Sequence, residues 1–339
     1  MSFNCNDNLK KMHPHYNSLT PKGITRMHFN EVTDTILPVD VLFKDIDKNL
    51  NSYPEMEYME LEEISAKHYN VKITEIIPTC GSDEGIDLCV RTYCNPGETI
   101  LIPDPSFGSY AQTAGCFGVN VERFDLQNDE TKWFLDIDNF IKKAKEVKPK
   151  LIFLPNPLAQ VGAIIKKDDV KKIIESLPDT MIVADEAYIE FDEENSVLSE
   201  FNKYENLTLL RTVSKFYGIP SIRLGFIISH FKDEFFKVKM PDNLNKLSCR
   251  IGCNLFENLA PAIISKQKEK IMNQKKQLIE FLEQFNEIET IYQSVSHFVY
   301  CKLNCKGADF AKKLLDNYNI KIRVFGDGKF ENYCRVSVR

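Results

Sequence analysis

The sequence predicts an α/β fold in which a mostly parallel sheet lies between helices, together with a smaller α+β domain. Short apolar runs alternate with amphipathic helical patterns through the middle of the chain, which is typical of parallel strands covered on both faces. After about residue 235 the pattern changes to charged helical segments and isolated strands. The chain of 339 residues is 43% hydrophobic and 27% charged, as expected for a globular protein.

The middle of the chain contains five apolar runs that predict buried strands, with helical patterns between several of them. The predicted strands are Thr99–Ile102, Leu151–Leu154, Met181–Ala184, Leu207–Leu210 and Leu224–Ile228. The predicted helices are Asp83–Tyr93, Asp138–Val147 and Lys167–Ser176. Sheets of this kind place their chemistry at the carboxyl ends of parallel strands, so the polar residues that follow these runs are candidates for a functional site.

The last hundred residues predict a long helix and then a small mixed unit. Asn254–Phe285 is rich in lysine, but apolar residues recur along it, so it is interpreted as a solvated amphipathic helix and not as a nucleic-acid-binding surface. The elements predicted after it are strands at His297–Leu303, Lys321–Phe325 and Cys334–Val338, and a helix at Ala308–Asn317.

The N-terminal residues 1–45 show no clear element and are expected to wrap onto the C-terminal unit. We therefore predict a large domain over residues 46–240. The small domain is predicted to consist of residues 1–45 and 241–339, so that both chain ends contribute to it.

Composition excludes several classes of partner. The net charge of −6 and the isoelectric point near 5.7 argue against binding along a nucleic-acid backbone, which requires a basic face. No apolar run approaches the roughly 18 residues of a membrane span, and the polar first residues do not resemble a signal peptide. The ten cysteines lack zinc or redox spacing and are typical of a reducing compartment. We therefore expect a cytoplasmic protein without metal, nucleic-acid or membrane binding.

Two common nucleotide-binding motifs are absent: no Gly-x-Gly-x-x-Gly follows a predicted strand, and there is no Walker loop. A different anion-binding pattern is present at Thr79–Gly85, which reads Thr-Cys-Gly-Ser-Asp-Glu-Gly before an apolar helix. Glycine allows close backbone approach, and free amides at a helix N-terminus attract an anion. Taken alone, Ser82 or Asp83 could equally serve only as a helix cap.

Three further polar groups lie at strand ends. Asp185 and Glu186 end the Met181–Ala184 run, and an acid there could also be only a helix cap. The next run ends in Arg211–Lys215, which reads Arg-Thr-Val-Ser-Lys. Eight residues later Arg223 opens the following strand. These charged and hydroxyl groups are expected to meet at one edge of the sheet.

Together these segments resemble fold-type I pyridoxal-phosphate enzymes, and within them the histidinol-phosphate aminotransferase branch. The residues that carry the resemblance are Asp185–Phe191 (Asp-Glu-Ala-Tyr-Ile-Glu-Phe), Arg211–Lys215 and Gly81–Ile86 (Gly-Ser-Asp-Glu-Gly-Ile). They occur in the family order, and Asn156, Asp185 and Lys215 follow each other at family-like gaps of 29 and 30 residues. The resemblance covers about Tyr53 to the C-terminus and implies pyridoxal 5'-phosphate as the cofactor.

The resemblance also implies individual roles. Lys215 would bind the cofactor aldehyde as a Schiff base and then move the substrate proton. Asp185 would keep the pyridine nitrogen protonated, while Tyr188 and Asn156 would bond the ring hydroxyl. The implied phosphate ligands are Ser82, Asp83, Thr212, Ser214 and Arg223. Phe107 would stack on the ring, although an isolated phenylalanine at this position could simply belong to the core.

Three more residues complete the implied site. Tyr53 would reach the phosphate of the neighbouring subunit, which implies a homodimer with sites at the interface. Arg335 would bind the substrate carboxylate or its equivalent, a task that suits a planar guanidinium. Arg323 could contact the distal part of the substrate or be an ordinary surface arginine.

The sequence departs from the family pattern in three segments. Pro155–Gly162 reads Pro-Asn-Pro-Leu-Ala-Gln-Val-Gly where an Asn-Pro-Thr-Gly type turn is usual. Phe29–Thr33 replaces an Asn-Glu-Asn-Pro type stretch, and Phe216–Ile222 replaces an Ala/Gly-rich turn. Two of these segments border the expected substrate side, whereas the cofactor residues are intact.

The predicted activity is transfer of an amino group between glutamate or 2-oxoglutarate and a small phosphorylated amine or carbonyl compound, in two half-reactions. Histidinol phosphate is the family default, and another phosphorylated amine, for instance from a surface-sugar pathway, stays open. The alternative is a decarboxylase of a phosphorylated amino acid, similar to threonine-phosphate decarboxylases. A non-catalytic relative is disfavoured, because it would have no need for Lys215.

Overall fold

The computed structural model describes residues 7–12, 19–47, 49, 51–326 and 328–339. Its strands are Thr25–Met27 (β1), Ile76–Thr79 (β2), Thr99–Asp104 (β3), Asn120–Asp125 (β4), Gln127–Asn128 (β5), Trp133–Phe134 (β6), Leu151–Pro155 (β7), Met181–Asp185 (β8), Leu207–Thr212 (β9), Gly225–Ile228 (β10), Ile288–Tyr292 (β11), Phe298–Leu303 (β12), Ile320–Val324 (β13) and Tyr333–Ser337 (β14). Its α-helices are Val39–Leu42 (α1), Glu55–Tyr69 (α2), Gly81–Tyr93 (α3), Gly108–Cys116 (α4), Ile137–Val147 (α5), Lys167–Ser176 (α6), Lys232–Val238 (α7), Lys246–Asn258 (α8), Pro261–Leu282 (α9) and Gly307–Tyr318 (α10).

The larger sheet has seven strands in the order β2-β10-β9-β8-β7-β3-β4. Strands β9, β8, β7, β3 and β4 run parallel, whereas β10 lies antiparallel between β9 and β2. Every residue of β7 and β9 is buried, as expected for strands that helices cover on both faces. The predicted mostly parallel sheet between helices is therefore confirmed.

The register of the central strands determines where polar side chains meet. Asp185, the last residue of β8, lies opposite Pro155 on β7 and Leu210 on β9. Thr212 ends β9 two residues further on. Because these strands are parallel, their carboxyl ends form one edge, and the segments that follow them converge there.

Helices on both faces bury the sheet. On one face, Ile86 of α3 and Tyr110 of α4 pack into an apolar cluster with the strands. On the other face, Phe140 of α5 and Ile173 of α6 belong to the largest cluster. Burying one such side chain contributes roughly 1.5–3 kcal/mol, so these helices also fix the positions of the loops at the carboxyl edge.

The smaller sheet has five strands in the order β1-β13-β14-β12-β11. Its N-terminal strand β1 pairs in parallel with β13, and Thr25 lies opposite Ile320. The remaining neighbours are antiparallel. Helices α9 and α10 cover the sheet through Leu282 and Phe310. Residues from both chain ends thus form one sheet.

The structure corrects the single long helix predicted over Asn254–Phe285. Two helices are present, α8 and α9, and the chain is extended at Ala260 before Pro261 begins α9. Proline lacks the N–H that a helix interior requires and disfavours helical backbone in the preceding residue. The amphipathic character was predicted correctly, since Ile271, Leu278 and Leu282 are buried on α9.

The N-terminal region contains elements that the sequence patterns did not predict. Strand β1 has three residues and helix α1 has four, which is too short for a hydrophobic period to be recognised. Among the described residues, no helix is both long and apolar enough to cross a lipid bilayer.

Candidate active site

A cavity lies at the carboxyl edge of β7, β8 and β9, beside the first turns of α3 and α4. Its walls contain eight of the residues predicted for the site. These are Ser82, Asp83, Phe107, Asp185, Tyr188, Ser214, Lys215 and Arg223. The other lining residues are Tyr110, Pro155, Ala159 and Ala187. The structure therefore brings together segments that are far apart in the sequence.

Asp185 forms the carboxylate at the base of this cavity. The hydroxyl of Tyr110 donates a 2.6 Å hydrogen bond to its Oδ2, and the backbone N–H of Ala187 donates to Oδ1 at 3.1 Å. Burial raises the pKa of Asp185 to about 6, although these two bonds and the charge of Lys215 act in the opposite direction. Such a carboxylate can hold a buried cationic nitrogen, because pairing would offset its desolvation.

Lys215 and Tyr188 lie together on the side of the cavity next to the N-terminal segment. The Nζ atom of Lys215 is 5.8 Å from the centre of the Tyr188 ring and donates to the carbonyl oxygen of Phe29 at 3.4 Å. The hydroxyl oxygen of Tyr188 accepts a 2.9 Å hydrogen bond from Nδ2 of Asn30. A primary amine and a phenol side by side can exchange protons with a bound reactant.

An anion-binding cradle forms the other end of the cavity. Ser82 and Asp83 occupy the first turn of α3, where backbone amides are free to bind an anion. The Nη1 atom of Arg223 donates to the Ser214 hydroxyl at 3.5 Å, and Nη2 pairs with the Asp83 carboxylate at 3.0 Å. A phosphate monoester fits this combination of a guanidinium, a hydroxyl and a helix N-terminus.

The backbone of the cradle has no room for side chains at two glycines. A Cβ on Gly225 would lie 2.6 Å from the carbonyl carbon of Gly81 and 2.7 Å from the Ser82 nitrogen. Gly81 has φ +74°, and a Cβ there would overlap the Arg223 guanidinium. The close approach of β10 to the start of α3 keeps the amides and Arg223 together. These residues thus fit a cofactor that carries a phosphate at one end and a basic ring nitrogen near Asp185.

Two predicted cofactor ligands do not reach the cavity. The Asn156 side chain donates to the carbonyl of Ile165 at 3.0 Å and accepts from its N–H at 2.9 Å. These two bonds tie the Asn156 amide to the loop and use its oxygen and one of its two N–H groups. Its role as a cofactor ligand stays a prediction. The buried Thr212 hydroxyl donates to the Leu224 carbonyl at 3.1 Å and accepts from the Ser214 N–H at 3.2 Å, so it holds the Ser214 turn from behind.

Tyr53 lies outside this cavity. Its side chain is 73% exposed and lines an open groove with Pro54, Leu244 and Lys246. The structure therefore separates Tyr53 from the residues of the same chain that line the cavity.

Arg335 lies beside the cavity on β14 and is only 8% exposed. Its Nη1 donates to Oε1 of Gln160 at 2.6 Å, and its Nη2 donates to the His28 carbonyl at 3.3 Å. Burial lowers its pKa to about 10. Gln160 in turn donates to the Ser106 carbonyl at 2.9 Å, next to Phe107.

Arg323 on β13 lies directly opposite Arg335 on β14, and opposed residues share one face of a sheet. Arg323 is exposed, and Arg335 is buried. Within the part of the chain that the structure describes, neither guanidinium pairs with a carboxylate. Two such cations on one sheet face can bind an anionic ligand between or beside them.

Sequence reasoning missed four residues that shape the site: Tyr110, Ala159, Gln160 and Asn30. Tyr110 follows Phe107 by three residues, so helical spacing from a candidate ring-stacking residue could have suggested it. Gln160 and Ala159 lie in the loop noted for its unusual sequence, and Asn30 lies in the unusual N-terminal segment. No local pattern indicates their partners.

Comparisons with known proteins agree with this geometry. Residues 30–338 match the family described as aminotransferase class I and II. A histidinol-phosphate aminotransferase from Caldanaerobacter subterraneus subsp. tengcongensis is 34% identical over 322 residues, which cover 92% of this chain and 88% of that protein.

Solved structures share the fold over nearly the whole chain. A histidinol-phosphate aminotransferase from Sinorhizobium meliloti, in complex with pyridoxal-5'-phosphate, superposes with a TM-score of 0.87 at 17% identity and covers 99% of this chain and 94% of its own. An L-threonine-O-3-phosphate decarboxylase from Porphyromonas gingivalis superposes with a TM-score of 0.79 at 22% identity, covering 93% and 94%. At these identities the likeness establishes the fold alone.

Proposed function

The chain belongs to the aminotransferase class I and II family, and from that premise we propose that it transfers an amino group between glutamate or 2-oxoglutarate and a small phosphorylated amine. It is a pyridoxal-phosphate-dependent aminotransferase. The observation that carries the substrate class is the opposed pair Arg323 and Arg335, which have no carboxylate partner among the described residues. A phosphate or carboxylate bound there would relieve the repulsion between two cations on one sheet face.

We propose that the cavity residues hold the cofactor in three ways. The amides of Ser82 and Asp83, the Ser214 hydroxyl and Arg223 would bind its phosphate, and Phe107 would lie against its ring. Asp185 would face the ring nitrogen, and Lys215 would bind the aldehyde carbon. When bound, pyridoxal phosphate supplies an electron sink for the carbanion formed at the substrate.

Asp185 and Tyr110 would hold the positive charge of the ring nitrogen in place. The buried carboxylate has a raised pKa near 6, and a cation beside it favours its ionised form. The Tyr110 hydroxyl, which donates to Oδ2, fixes the orientation of the carboxylate. Asp185→Ala should therefore lose most activity and weaken cofactor retention, whereas Tyr110→Phe should retain the cofactor and lose only part of the activity.

Lys215 would move the substrate proton. Its Nζ lies near the Tyr188 ring and donates to the Phe29 carbonyl, and these contacts hold the amine at the side of the cavity. A held amine is positioned to accept a proton from substrate and return it to a neighbouring atom. Lys215→Ala should abolish turnover and remove the visible absorbance of bound cofactor, while Lys166→Ala, at an exposed loop position, should leave both unchanged.

We propose that the enzyme is a homodimer in which Tyr53 reaches the phosphate site of the neighbouring subunit. Tyr53, Met56 and Met59 are largely exposed in one chain, which is typical of a surface covered by a partner. Sedimentation of the holoenzyme should give twice the chain mass of 39.2 kDa. A monomer that retains full activity would contradict this proposal.

We also propose that the reaction takes place in the cytoplasm. The nine cysteines among the described residues are free thiols, which suits a reducing compartment. Fractionation of the source cells should recover the activity with cytoplasmic markers.

A substrate panel tests the proposed function. Purified holoenzyme is mixed with histidinol phosphate, other phosphorylated amines and amino acids, and each non-phosphorylated counterpart. We expect a spectral change of the bound cofactor and 2-oxoglutarate-dependent turnover with a phosphorylated amine, and a much weaker response to its counterpart. Carbon dioxide release without keto-acid exchange would identify the decarboxylase alternative and overturn the transaminase proposal.

A further inference from the structure

The N-terminal segment 28–30 contacts three separate groups of the site through three consecutive residues. The His28 carbonyl accepts a hydrogen bond from Arg335, the Phe29 carbonyl accepts from Lys215, and the Asn30 side chain donates to Tyr188. The segment precedes α1 and is distant in sequence from all three partners. Its position is therefore part of the geometry of the site.

Ser337 of β14 forms hydrogen bonds with both the backbone and the side chain of Asn30. The Asn30 backbone N–H donates to the Ser337 hydroxyl at 3.1 Å, and that hydroxyl donates to the Asn30 Oδ1 at 2.7 Å. Asn30 is 2% exposed and has φ +55°, a left-handed conformation that asparagine tolerates better than most residues. The closed pair of bonds fixes both the backbone and the side chain.

This arrangement also fixes the direction of each hydrogen bond. Ser337 accepts from the Asn30 N–H and donates its own proton to Oδ1, so the other polar group of the Asn30 side chain, Nδ2, faces Tyr188 and donates to its oxygen. The Tyr188 oxygen then accepts a bond at 2.9 Å, so its own proton cannot point toward Asn30. The remaining direction for that proton is the cavity that Tyr188 lines.

We propose that Asn30 is a positioning residue that directs the Tyr188 hydroxyl proton into the cavity, toward the ring oxygen of bound cofactor. This inference rests on the proposed function. Ser337 anchors Asn30, so a residue of the small sheet determines the orientation of a hydroxyl in the segment that follows β8 of the large sheet. Through Asn30, the direction of the Tyr188 hydroxyl proton thus depends on how the two sheets pack against each other.

The other groups around Tyr188 do not supply an equivalent hydrogen bond. Lys215 lies over the face of its ring, and Arg335 is engaged with Gln160 and His28. The imidazole of His297 is 5.9 Å from the Tyr188 ring centre and stays neutral, because burial lowers its pKa to about 3. Asp185, at the base of the cavity, accepts from Tyr110 and Ala187.

The test uses the pH midpoint at which the visible absorbance of the bound cofactor changes. A hydrogen bond donated by the Tyr188 hydroxyl stabilises negative charge on the ring oxygen. When that hydroxyl is no longer oriented toward the ring oxygen, the protonated form of the bound cofactor is therefore favoured. We expect Asn30→Ala to raise the midpoint by roughly 0.5–1 pH unit, the size of one neutral hydrogen bond. Asn30→Asp should raise the midpoint further, because the new carboxylate would accept a hydrogen bond from the Tyr188 hydroxyl and turn it away from the cavity.

A double-mutant cycle distinguishes positioning from a general structural effect. In the Tyr188→Phe background there is no hydroxyl to orient, so Asn30→Ala should cause no further shift. Ser337→Ala keeps the direct contact but removes its anchor, and should give a smaller shift than Asn30→Ala. Equal shifts in both backgrounds, or no shift in Asn30→Ala and Asn30→Asp, would overturn the inference. A wild-type protein without cofactor absorbance would instead contradict the proposed function.

Discussion

Two buried arginines of this protein have opposite surroundings. Arg211 on β9 is 1% exposed and pairs with three carboxylates, with Glu186 at 2.8 Å, Glu193 at 3.3 Å and Glu190 at 3.5 Å. Arg335 on β14 is 8% exposed and donates only to neutral oxygens. Among the residues that the structure describes, Arg211 has carboxylate counter-ions and Arg335 has none.

The pKa directions follow from this difference. Burial lowers the pKa of both guanidiniums, but the carboxylates around Arg211 outweigh burial and raise its pKa above the ordinary value. Around Arg335 burial outweighs the opposing effect of Tyr188 and Tyr300, and its pKa falls to about 10. A buried cation without a counter-ion carries a desolvation cost that an anionic ligand would offset. The comparison separates an arginine that is paired with carboxylates inside the fold from one that we propose binds the substrate.

The largest expected effect is on stability. Arg211→Met would leave Glu186 and Glu190 buried without their cationic partner and should lower the free energy of unfolding by about 3–5 kcal/mol. Urea unfolding of the holoenzyme measures it. Arg91→Met is the matched control, because Arg91 pairs with Asp87 at a partly exposed surface and should lose less than about 1 kcal/mol. Equal losses in the two variants would contradict a structural role for Arg211.

The next effect is on catalysis and not on stability. Arg335→Lys keeps the charge but loses the planar fork, and should lower kcat/KM for the amino acceptor about 10–100-fold. Its unfolding free energy should change little, because no ion pair within the described residues is broken. Steady-state kinetics and urea unfolding of the same preparation test both statements. A variant that loses stability but keeps kcat/KM would place Arg335 in the same class as Arg211.

A smaller effect should follow from giving Arg335 a counter-ion. Gln160→Glu is nearly isosteric and would place a carboxylate at the 2.6 Å contact. The acceptor KM should rise about tenfold with kcat largely retained, since the new carboxylate competes with the substrate anion. Binding of succinate, a non-reacting dicarboxylate, should weaken in parallel. Gln127→Glu at an exposed strand provides the control for net charge, and an unchanged KM in Gln160→Glu would contradict this prediction.

The smallest effect concerns the pH dependence of the Arg211 cluster. Burial and nearby carboxylates raise the pKa of Glu190 to about 8, despite the attraction of Arg211. Between its ordinary pKa of 4.5 and about 8, the folded state therefore binds more protons than the unfolded state, and this group lowers stability as pH rises. Glu190→Gln should remove that slope, which amounts to at most about 1.4 kcal/mol for each pH unit within the window. Unfolding at several pH values measures the difference, and parallel curves would refute it.

Much of the fold follows from local sequence. The predicted strand Met181–Ala184 and helix Lys167–Ser176 agree with the structure to within a residue, because burial on both faces and helical periodicity are visible in short windows. Asp185 and Lys215 drew attention because they lie at or just beyond the ends of such strands, and the family resemblance then implied their roles. The long helix prediction failed at Pro261, where a local rule against proline in helix interiors could have been applied.

The parts of the site that the sequence did not reveal depend on distant pairs. Tyr110 is 75 residues from Asp185, Asn30 is 158 from Tyr188, and Gln160 is 175 from Arg335. Asn156 is a nearer case, because its amide is bonded to Ile165 only nine residues away, and its motif position did not indicate this contact. Hydrogen-bond partners are chosen by proximity in space, which motif spacing does not report.

The sequence by itself determined the alternation of strands and helices and the family, and it nominated the lysine, aspartate and arginine that we propose for the cofactor site. These depend on hydrophobic period and on residues next to strand ends, which are properties of neighbouring positions. Only the tertiary structure decided that Arg211 is neutralised and Arg335 is not, and that Asn30 orients Tyr188. Charge compensation and hydrogen-bond direction depend on which side chains the packing of two sheets brings within about 3 Å of each other.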